Sequence, residues 1–358
     1  MLHVRVLATL ILALAAAAAA NAAPRQFRSV PAQGPLAAGR QSIIESLKTT
    51  TIGSTVDASN GDQNPYGLAI APAGDGKIAA GDLVVCNFND ALNIQGLGTT
   101  IEVLKPYPGA APRRLIADPR LTGCAAIAMG GAAPWVAALD ANDNPIVSPS
   151  GKSIDPLNTY PWTGAWGEGF VAKPLSLPAF YESNANDGSI VRINLSSPFT
   201  FEKIATGLPV NHGVPGSILA PSGLTYDAVR DVLYIVDGAS NSVFEIREPA
   251  QVHTGGLAYT PHGFTGPSAP HGRLLYAGNP LNGPISAALL FNGDLVVGNT
   301  GDNRLVELSP SGRVLGTRLV DGGVAGAIFG IAASGTSAQT TRVYFNDDND
   351  NTVKRLAH

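Results

Sequence analysis

Histidine side chains are the first candidates for chemistry in this sequence, because imidazole ligates metal ions and transfers protons near neutral pH. His253, His262 and His271 recur at steps of nine residues in a Gly- and Pro-rich segment. Three imidazoles gathered in one loop could bind Zn²⁺ or Cu²⁺. The spacing matches no compact metal-binding motif, so a simple extended loop is the interpretation that we favour.

Acidic side chains offer a second possibility. The run 347–351 (Asp-Asp-Asn-Asp-Asn) is rich in oxygen donors and resembles a calcium loop. It lacks the Gly at the sixth position and the terminal Glu of an EF-hand, so a solvated hairpin tip explains it better. No G-x-S-x-G motif and no P-loop occur, and the sequence therefore carries no recognisable catalytic set.

Aromatic side chains form the third group. Trp162 and Trp166 are close together in the chain, and further aromatic residues lie nearby at Trp135, Tyr160 and Tyr181. Aromatic rings can stack on a sugar or on a hydrophobic ligand, and packing beneath a long loop is an equally good explanation. With His212, which precedes a Gly, Trp162 and Trp166 are our candidate ligand-binding residues.

A repeated unit must position these side chains. An apolar strand ends in Asn or Asp, a short polar turn follows, and a second apolar strand comes next. The terminal Asn or Asp recurs at intervals of 44 to 62 residues, at positions 87, 140, 184, 237, 299 and 346. Asn and Asp suit tight turns because they tolerate left-handed backbone and bond to their own chain. The unit is therefore predicted to be a β-hairpin.

Each hairpin is preceded by a small residue followed by apolar ones, as in Gly67–Ile70 and Gly223–Thr225. Small residues suit an innermost strand, where blades converge on an axis. A fourth apolar stretch separates the units, so the sequence predicts an all-β, six-bladed β-propeller with four-stranded antiparallel blades. We expect Leu47–Ile52 to add the outer strand of the last blade and close the ring, which removes free sheet edges.

The two cysteines, Cys86 and Cys124, fall in neighbouring predicted blades. We favour a disulfide between them, and two buried thiols are the alternative. No C-x-x-C motif occurs, so neither a thioredoxin-type site nor a c-type haem is indicated.

The N-terminus predicts export. A short start with one Arg, an Ala- and Leu-rich run and the tripeptide Ala20-Asn21-Ala22 form the pattern of a signal peptide over residues 1–22. We expect a flexible segment over 23–41, a single propeller domain over 42–358, and a periplasmic or secreted protein without a membrane span in the mature chain. Charged residues are only 14% and the net charge is −4, with no basic run, so nucleic acid is not an expected partner.

A family resemblance adds detail. Pro221–Asp227, then Val232–Asp237 and Asn241, are similar to an NHL repeat, which has P-x-G-φ-x-φ-D, L-Y-V-A-D and N-x-φ. The resemblance covers the chain from about Asn64 to the C-terminus. It implies a six-bladed propeller and leaves the activity open, because one fold hosts many functions.

The chain also resembles the SMP-30/gluconolactonase group of propellers, whose members hold a divalent metal with a Glu directly before the Gly of an inner strand. Here only Glu168-Gly169 has that arrangement, in the third unit, whereas the first unit has Tyr66. The resemblance implies a cation such as Ca²⁺ on Glu168, Asn184 and Asp237. Turn stabilisation is the role that we favour for Asn184 and Asp237, since their positions recur in every unit.

Two functions follow from the sequence. The first is a binding module that holds a small-molecule or protein ligand as a monomer. The alternative is a metal-dependent hydrolase or lactonase resembling the SMP-30 group. The sequence does not decide whether the protein is an enzyme.

Overall fold

The computed structural model describes residues 41–172 and 178–358. The predicted signal peptide lies outside these residues, as does nearly all of the N-terminal segment. The described chain forms six β-sheets arranged as the blades of a propeller, with only short 3-10 helices besides strands. The predicted six-bladed architecture is confirmed. The 3-10 helices span Ile44–Ser46, Pro119–Leu121, Pro249–Gln251 and Ala269–His271.

The blades are numbered along the chain, and their strands are given from the innermost outward. Blade 1 comprises Gln63–Ile70, Leu83–Asn89, Thr100–Leu104 and Arg113–Ala117. Blade 2 comprises Cys124–Gly130, Ala133–Ala138, Ile146–Val147 and Ile154–Asp155. Blade 3 comprises Ala165–Val171, Ala179–Asn184, Ser189–Asn194, Thr200–Thr206, Leu257–Thr260 and Gly263–Thr265. Blade 4 comprises Pro221–Asp227, Val232–Asp237, Ser242–Arg247 and Gly272–Ala277.

Blade 5 comprises Pro284–Leu289, Leu295–Asn299, Arg304–Leu308 and Val314–Leu319. Blade 6 comprises Ile328–Ser334, Arg342–Asp347, Thr352–Ala357 and, as its outermost strand, Lys48–Ser54 from near the N-terminus. The outermost strand pairs antiparallel with Thr352–Ala357, and Lys48 lies opposite Ala357. Residues from near both ends of the described chain therefore belong to one sheet.

Blade 3 departs from the predicted four strands. After blade 4 has begun, the chain returns with a small hairpin, and Leu257 pairs in parallel with Ala205 at the outer edge of blade 3. This hairpin lies within the histidine-bearing segment that was predicted to be a loop. Phe264 of the hairpin packs edge-on against Phe244 of blade 4, with ring centroids 5.9 Å apart. The additional strands therefore bridge blades 3 and 4.

The hydrophobic core lies between adjacent blades. Between blades 1 and 2, for example, Val84 and Ile101 pack with Ile127 and Val136, all buried. Alternate residues of each strand face opposite neighbours, so the second strands, which have a blade on either side, are buried along most of their length. The inner strands of neighbouring blades touch all the way round, including blade 6 against blade 1. They enclose a central channel.

Among residues 41–172 and 178–358, no helix has the length and apolar character needed to cross a membrane.

Candidate functional site

Small residues allow the inner strands to approach one another around the channel. A Cβ atom added to Gly223 of blade 4 would lie only 2.6 Å from the Cα atom of Ser286 in blade 5. One added to Gly330 of blade 6 would lie 2.3 Å from the carbonyl oxygen of Tyr66 in blade 1. The small residues predicted to begin the inner strands therefore have a steric role.

A cavity of about 270 Å³ opens at one end of the channel, on the face where the inner strands begin. We call this the front face. Its walls come from the loops that precede blades 4 and 6 and from a hairpin turn of blade 5. The lining residues in these loops are small or neutral: Gly216, Ser217, Ile218, Leu219, Thr300, Ala325 and Gly326. Tyr66, Trp166, Ile285 and Phe329 line both this cavity and the channel below it. These four side chains therefore form a floor between the two spaces.

Aromatic stacking holds this floor in place. The ring of Tyr66 lies between those of Phe88 and Phe329, with centroid distances of 4.0 and 3.7 Å. Trp166 meets the rings of Tyr66 and Phe88 edge-on, at 6.0 and 6.1 Å. The indole N–H of Trp166 is buried and has no hydrogen-bond partner among the described residues. The floor is thus an apolar surface that contains one buried donor without a partner.

Two ionisable groups matter for the charge of this floor: Tyr66, which is part of it, and the neighbouring Asp348. Burial, and secondarily the nearby charge of Asp348, raise the pKa of Tyr66 far above its usual range. Burial, followed by the charge of Asp347, raises the pKa of Asp348 to about 7. Tyr66 therefore stays neutral at ordinary pH, and the floor carries no phenolate charge.

Deeper in the channel, Glu168 projects from the inner strand of blade 3, where it lines the wall. Glu182 lies directly opposite it on the second strand of the same blade. The side-chain amide nitrogen of Asn144, which comes from blade 2, contacts one carboxylate oxygen of each. Burial raises the pKa of Glu168 to about 7, while hydrogen bonds with Glu182 and Asn144 act in the opposite direction. Burial, and then the charge of Glu168, also raise the pKa of Glu182 well above its usual range.

The three residues predicted as metal ligands have separate surroundings. Asn184 accepts a hydrogen bond from the backbone N–H of Thr163 at 2.9 Å. Asp237 accepts bonds from the backbone N–H and the hydroxyl of Ser240 at 2.8 and 2.9 Å. The bonds of Asp237 lie within its own turn, as we favoured for the hairpin-end residues, whereas Asn184 bonds to a residue 21 positions away, just before the inner strand of the same blade. Glu168 has Glu182 and Asn144 as its hydrogen-bond partners instead.

The oxygen donors around Glu168 nevertheless suit a cation. Glu168 Oε1, Glu182 Oε1 and Asn144 Oδ1 are buried and have no hydrogen-bond partner in the described part of the chain. Carboxylate and amide oxygens are the donors that hard divalent cations prefer. In the described ranges, no group of three or more His, Cys, Asp or Glu side chains is placed to hold a metal ion. A cation here would depend on the two carboxylates together with the amide of Asn144.

The three residues that we predicted to bind a ligand lie in different parts of the fold. Trp166 belongs to the floor, whereas Trp162 packs with Tyr160 and Phe201 and donates its indole N–H to the carbonyl oxygen of Leu157 at 3.0 Å. His212 is exposed, with φ of 53°, in the loop that also supplies Gly216–Leu219 to the front cavity.

Among the remaining candidates, His253, His271 and the acidic run 347–351 contact other groups of the fold. His271 bonds through Nδ1 with the carbonyl oxygen of Arg247 at 3.0 Å, and His253 lies 4.0 Å from a carboxylate oxygen of Glu202. In the acidic run, Asp347 and Asp350 both pair with Lys354, at 2.7 and 2.9 Å. These contacts hold the last hairpin of blade 6 together, in agreement with the predicted hairpin tip.

Cys86 and Cys124 form a disulfide, with their Cα atoms 5.8 Å apart. It joins the second strand of blade 1 to the inner strand of blade 2. The predicted pairing is confirmed.

Sequence reasoning missed Tyr66 and Phe329 of the floor and Glu182 and Asn144 of the buried cluster. One signal was present: Glu182 stands inside the apolar strand Ala179–Asn184, and a charge in such a strand needs a buried partner. The partner itself could not be found, because it depends on strand register. The aromatic residues carried no signal, since each is an ordinary apolar member of its strand.

No family model matches the chain, and no curated protein matches it. The NHL assignment therefore stays a prediction.

Solved structures do match. Virginiamycin B lyase from Staphylococcus aureus is 15% identical over 87% of this chain and 100% of its own, with a TM-score of 0.52. A gluconolactonase from Xanthomonas campestris is 11% identical over 88% of this chain and 90% of its own, with a TM-score of 0.58. A chain of a nidogen/laminin complex is 15% identical over 76% of this chain and 92% of its own, with a TM-score of 0.51.

The fold is shared with a lyase, a gluconolactonase and a chain of a nidogen/laminin complex. At these identities the similarity shows the propeller fold and does not assign an activity. The predicted likeness to the gluconolactonase group is supported at the level of fold.

Proposed function

We propose that this protein is an exported β-propeller that binds an uncharged small molecule in the front cavity. The observation that carries this proposal is the aromatic floor, in which Trp166 has a buried indole N–H without a partner. A buried unpaired donor costs free energy that a ligand acceptor would recover. Binding at this position would therefore stabilise the folded protein.

The chemistry of the cavity narrows the ligand class. Aromatic and aliphatic side chains favour a ligand with an apolar face, and the indole N–H favours one that also carries an acceptor oxygen. None of the residues lining the front cavity is a Lys, Arg, Asp, Glu or His. A sugar ring or a neutral oxygenated aromatic compound fits these requirements.

Export is part of the same proposal. The signal-peptide pattern at residues 1–22 and the Cys86–Cys124 disulfide both suit an oxidising compartment outside the cytoplasm. Expression with the native N-terminus, followed by fractionation and mass measurement, tests it. A mature chain beginning near Ala23 in the extracytoplasmic fraction is the expected result.

Ligand binding is tested by calorimetric titration with a panel of mono- and oligosaccharides and neutral aromatic compounds. A bound member of the panel should bind at least tenfold more weakly to Trp166→Phe, which keeps an aromatic ring but loses the indole N–H. Trp162→Phe is the matched control, because Trp162 is similarly buried away from the cavity. Equal weakening in both variants would contradict the assigned site.

A hydrolase or lactonase is the second candidate. It is favoured by the position of Glu168 on the channel wall and by the shared fold with a gluconolactonase. A screen of lactones and esters, with Mg²⁺ or Ca²⁺ added, should then detect turnover that Glu168→Gln abolishes. Turnover that persists in this variant would remove Glu168 from the chemistry.

A further inference from the structure

Large apolar side chains are exposed in two loops of the front face. Leu92, Ile94 and Leu97 belong to the turn between the second and third strands of blade 1, and Val214 belongs to the loop that precedes blade 4. Leu92 is 79% exposed and Val214 is 70% exposed. Single exposed apolar residues are common, whereas several at one place mark an interaction site. We call these four residues the apolar patch.

The two loops that carry the apolar patch meet over the front face, although one belongs to blade 1 and the other lies between blades 3 and 4. A Cβ atom added to Gly96 would lie 3.3 Å from the Cβ atom of Pro215. One added to Gly216 would lie 2.8 Å from the Cγ atom of Gln95. Gly216 also lines the front cavity, so the apolar patch borders the mouth of that cavity.

Hydrogen bonds hold both loops in these conformations. The Oδ1 atom of Asp90 accepts bonds from the backbone N–H groups of Leu92 and Ile94, at 3.0 and 2.9 Å. The Oδ1 atom of Asn211 accepts a bond from the backbone N–H of Leu219 at 2.9 Å, which closes the loop that carries the fourth residue of the patch. Because the backbone is already fixed, a partner that docks here loses little free energy in ordering the loops.

The apolar patch is flanked by negative charge. Asp90 begins the turn of blade 1, and the exposed Asp140 of blade 2 lies against the same turn. Among the described residues, no Lys or Arg forms a salt bridge with either carboxylate. The nearby Arg120 is paired with Asp118 at 2.7 Å. No Lys or Arg occurs in the three loops concerned, which are 90–99, 139–145 and 207–220.

We propose that the apolar patch docks a basic, amphipathic segment of a partner protein. Apolar side chains of the segment cover the patch, and its Lys or Arg side chains lie against Asp90 and Asp140. The apolar contacts supply most of the affinity, while the charges orient the segment and disfavour acidic partners. The same charges repel nucleic acid and anionic membrane surfaces. The segment lies beside the front cavity, and its docking does not depend on what that cavity binds.

Three fluorescently labelled peptides of equal length test the proposal, by anisotropy with the purified protein. The first is an amphipathic Leu/Lys peptide, the second has Ser in place of every Leu, and the third has Glu in place of every Lys. We expect the Leu/Lys peptide to bind, and the Ser/Lys and Leu/Glu peptides to bind at least tenfold more weakly. Added salt should weaken the binding of the Leu/Lys peptide, because it screens the exposed carboxylates.

Variants locate the surface. The double change Leu92→Ser and Val214→Ser should weaken binding of the Leu/Lys peptide at least tenfold, and Asp140→Asn should reduce the salt dependence. Val229→Ser is the matched control, because Val229 is an equally accessible apolar residue, 92% exposed, on the opposite face of the ring. It should bind as the unaltered protein does. All of these side chains are exposed, so the variants should stay folded, which circular dichroism checks.

Four results would overturn the proposal. The Leu/Lys peptide could fail to bind the unaltered protein, or could bind the double variant and the unaltered protein equally. Equal binding of the Ser/Lys and Leu/Lys peptides would leave only an acidic surface. Dimers of the unaltered protein that the double variant does not form, measured by sedimentation, would assign the patch to a second copy. Binding to phosphatidylcholine vesicles that the double variant loses would assign it to a membrane.

Discussion

Asn346 donates a hydrogen bond from its side-chain amide to the carbonyl oxygen of Tyr66, 2.9 Å away and 280 residues distant in sequence. The same amide reaches the carbonyl oxygen of Gly67 at 3.3 Å. The sequence predicts Asn346 as a turn residue at the end of a strand. In the structure it also joins the second strand of blade 6 to the inner strand of blade 1, directly beneath the aromatic floor.

Replacing Asn346 with Ala should therefore destabilise the protein by about 1–3 kcal/mol, since a fully buried amide and its carbonyl partners lose their bonds. Chemical denaturation measures the loss. Asn158→Ala, in an exposed loop, is the control and should change stability by less than about 0.5 kcal/mol. Equal effects would show that the bond between blades contributes nothing.

The Cys86–Cys124 disulfide closes a segment with a sequence separation of 38 residues. Constraining an unfolded loop of this length stabilises the folded state by roughly 3–4 kcal/mol in the chain-entropy description. Reduction of the disulfide, or replacement of both cysteines by Ser, should lower the free energy of unfolding by about this amount. Adding reductant to the double variant should have no further effect, and a further loss would contradict the assignment.

Glu307 of blade 5 anchors the start of the described chain. One of its carboxylate oxygens accepts bonds from the hydroxyl of Ser42 and from the backbone N–H groups of Ile43 and Ile44, at 2.7, 2.7 and 3.1 Å. Glu307→Ala should cost about 2–4 kcal/mol, because buried donors lose a charged acceptor. It should also make residues 42–46, at the start of the described chain, more sensitive to limited proteolysis. Glu45→Ala, on the surface of the same segment, should have a smaller effect on both measurements.

Glu102 should make stability fall with rising pH. Burial, with further contributions from the adjacent Asp57, raises its pKa to about 9. Between the ordinary Glu pKa and this value, the unfolded chain releases a proton that the folded chain retains. The contribution of Glu102 to the free energy of unfolding therefore decreases across this window, by at most about 1.4 kcal/mol per pH unit.

Glu102→Gln tests this effect, because it keeps the side chain neutral at every pH. The variant should show a flatter stability profile than the unaltered protein between about pH 5 and 9. Urea denaturation at several pH values measures both profiles, with Glu45→Gln as the surface control. Identical slopes in the unaltered protein and in Glu102→Gln would contradict the predicted protonation of Glu102.

From the amino-acid sequence alone, the six blades and their order around the ring could be predicted, but not the additional hairpin of blade 3. The small residues at Gly67, Gly223 and Gly330 marked inner strands, and they do line the channel. The Asn or Asp at the strand ends marked the hairpins. These features are local: a turn needs particular residues, and a strand between two blades needs an apolar sequence. The neighbouring positions of Cys86 and Cys124 followed from the repeat alone.

Which buried polar and aromatic groups meet depends on how the blades pack in three dimensions. Glu168 was found from its place before Gly169, but its pairing with Glu182 depends on strand register, and Asn144 arrives from another blade. Tyr66 and Phe329 stack although they stand in the first and last blades. A sequence pattern reports whether a side chain is buried. What lies beside it is set by closing the ring, which brings together residues hundreds of positions apart.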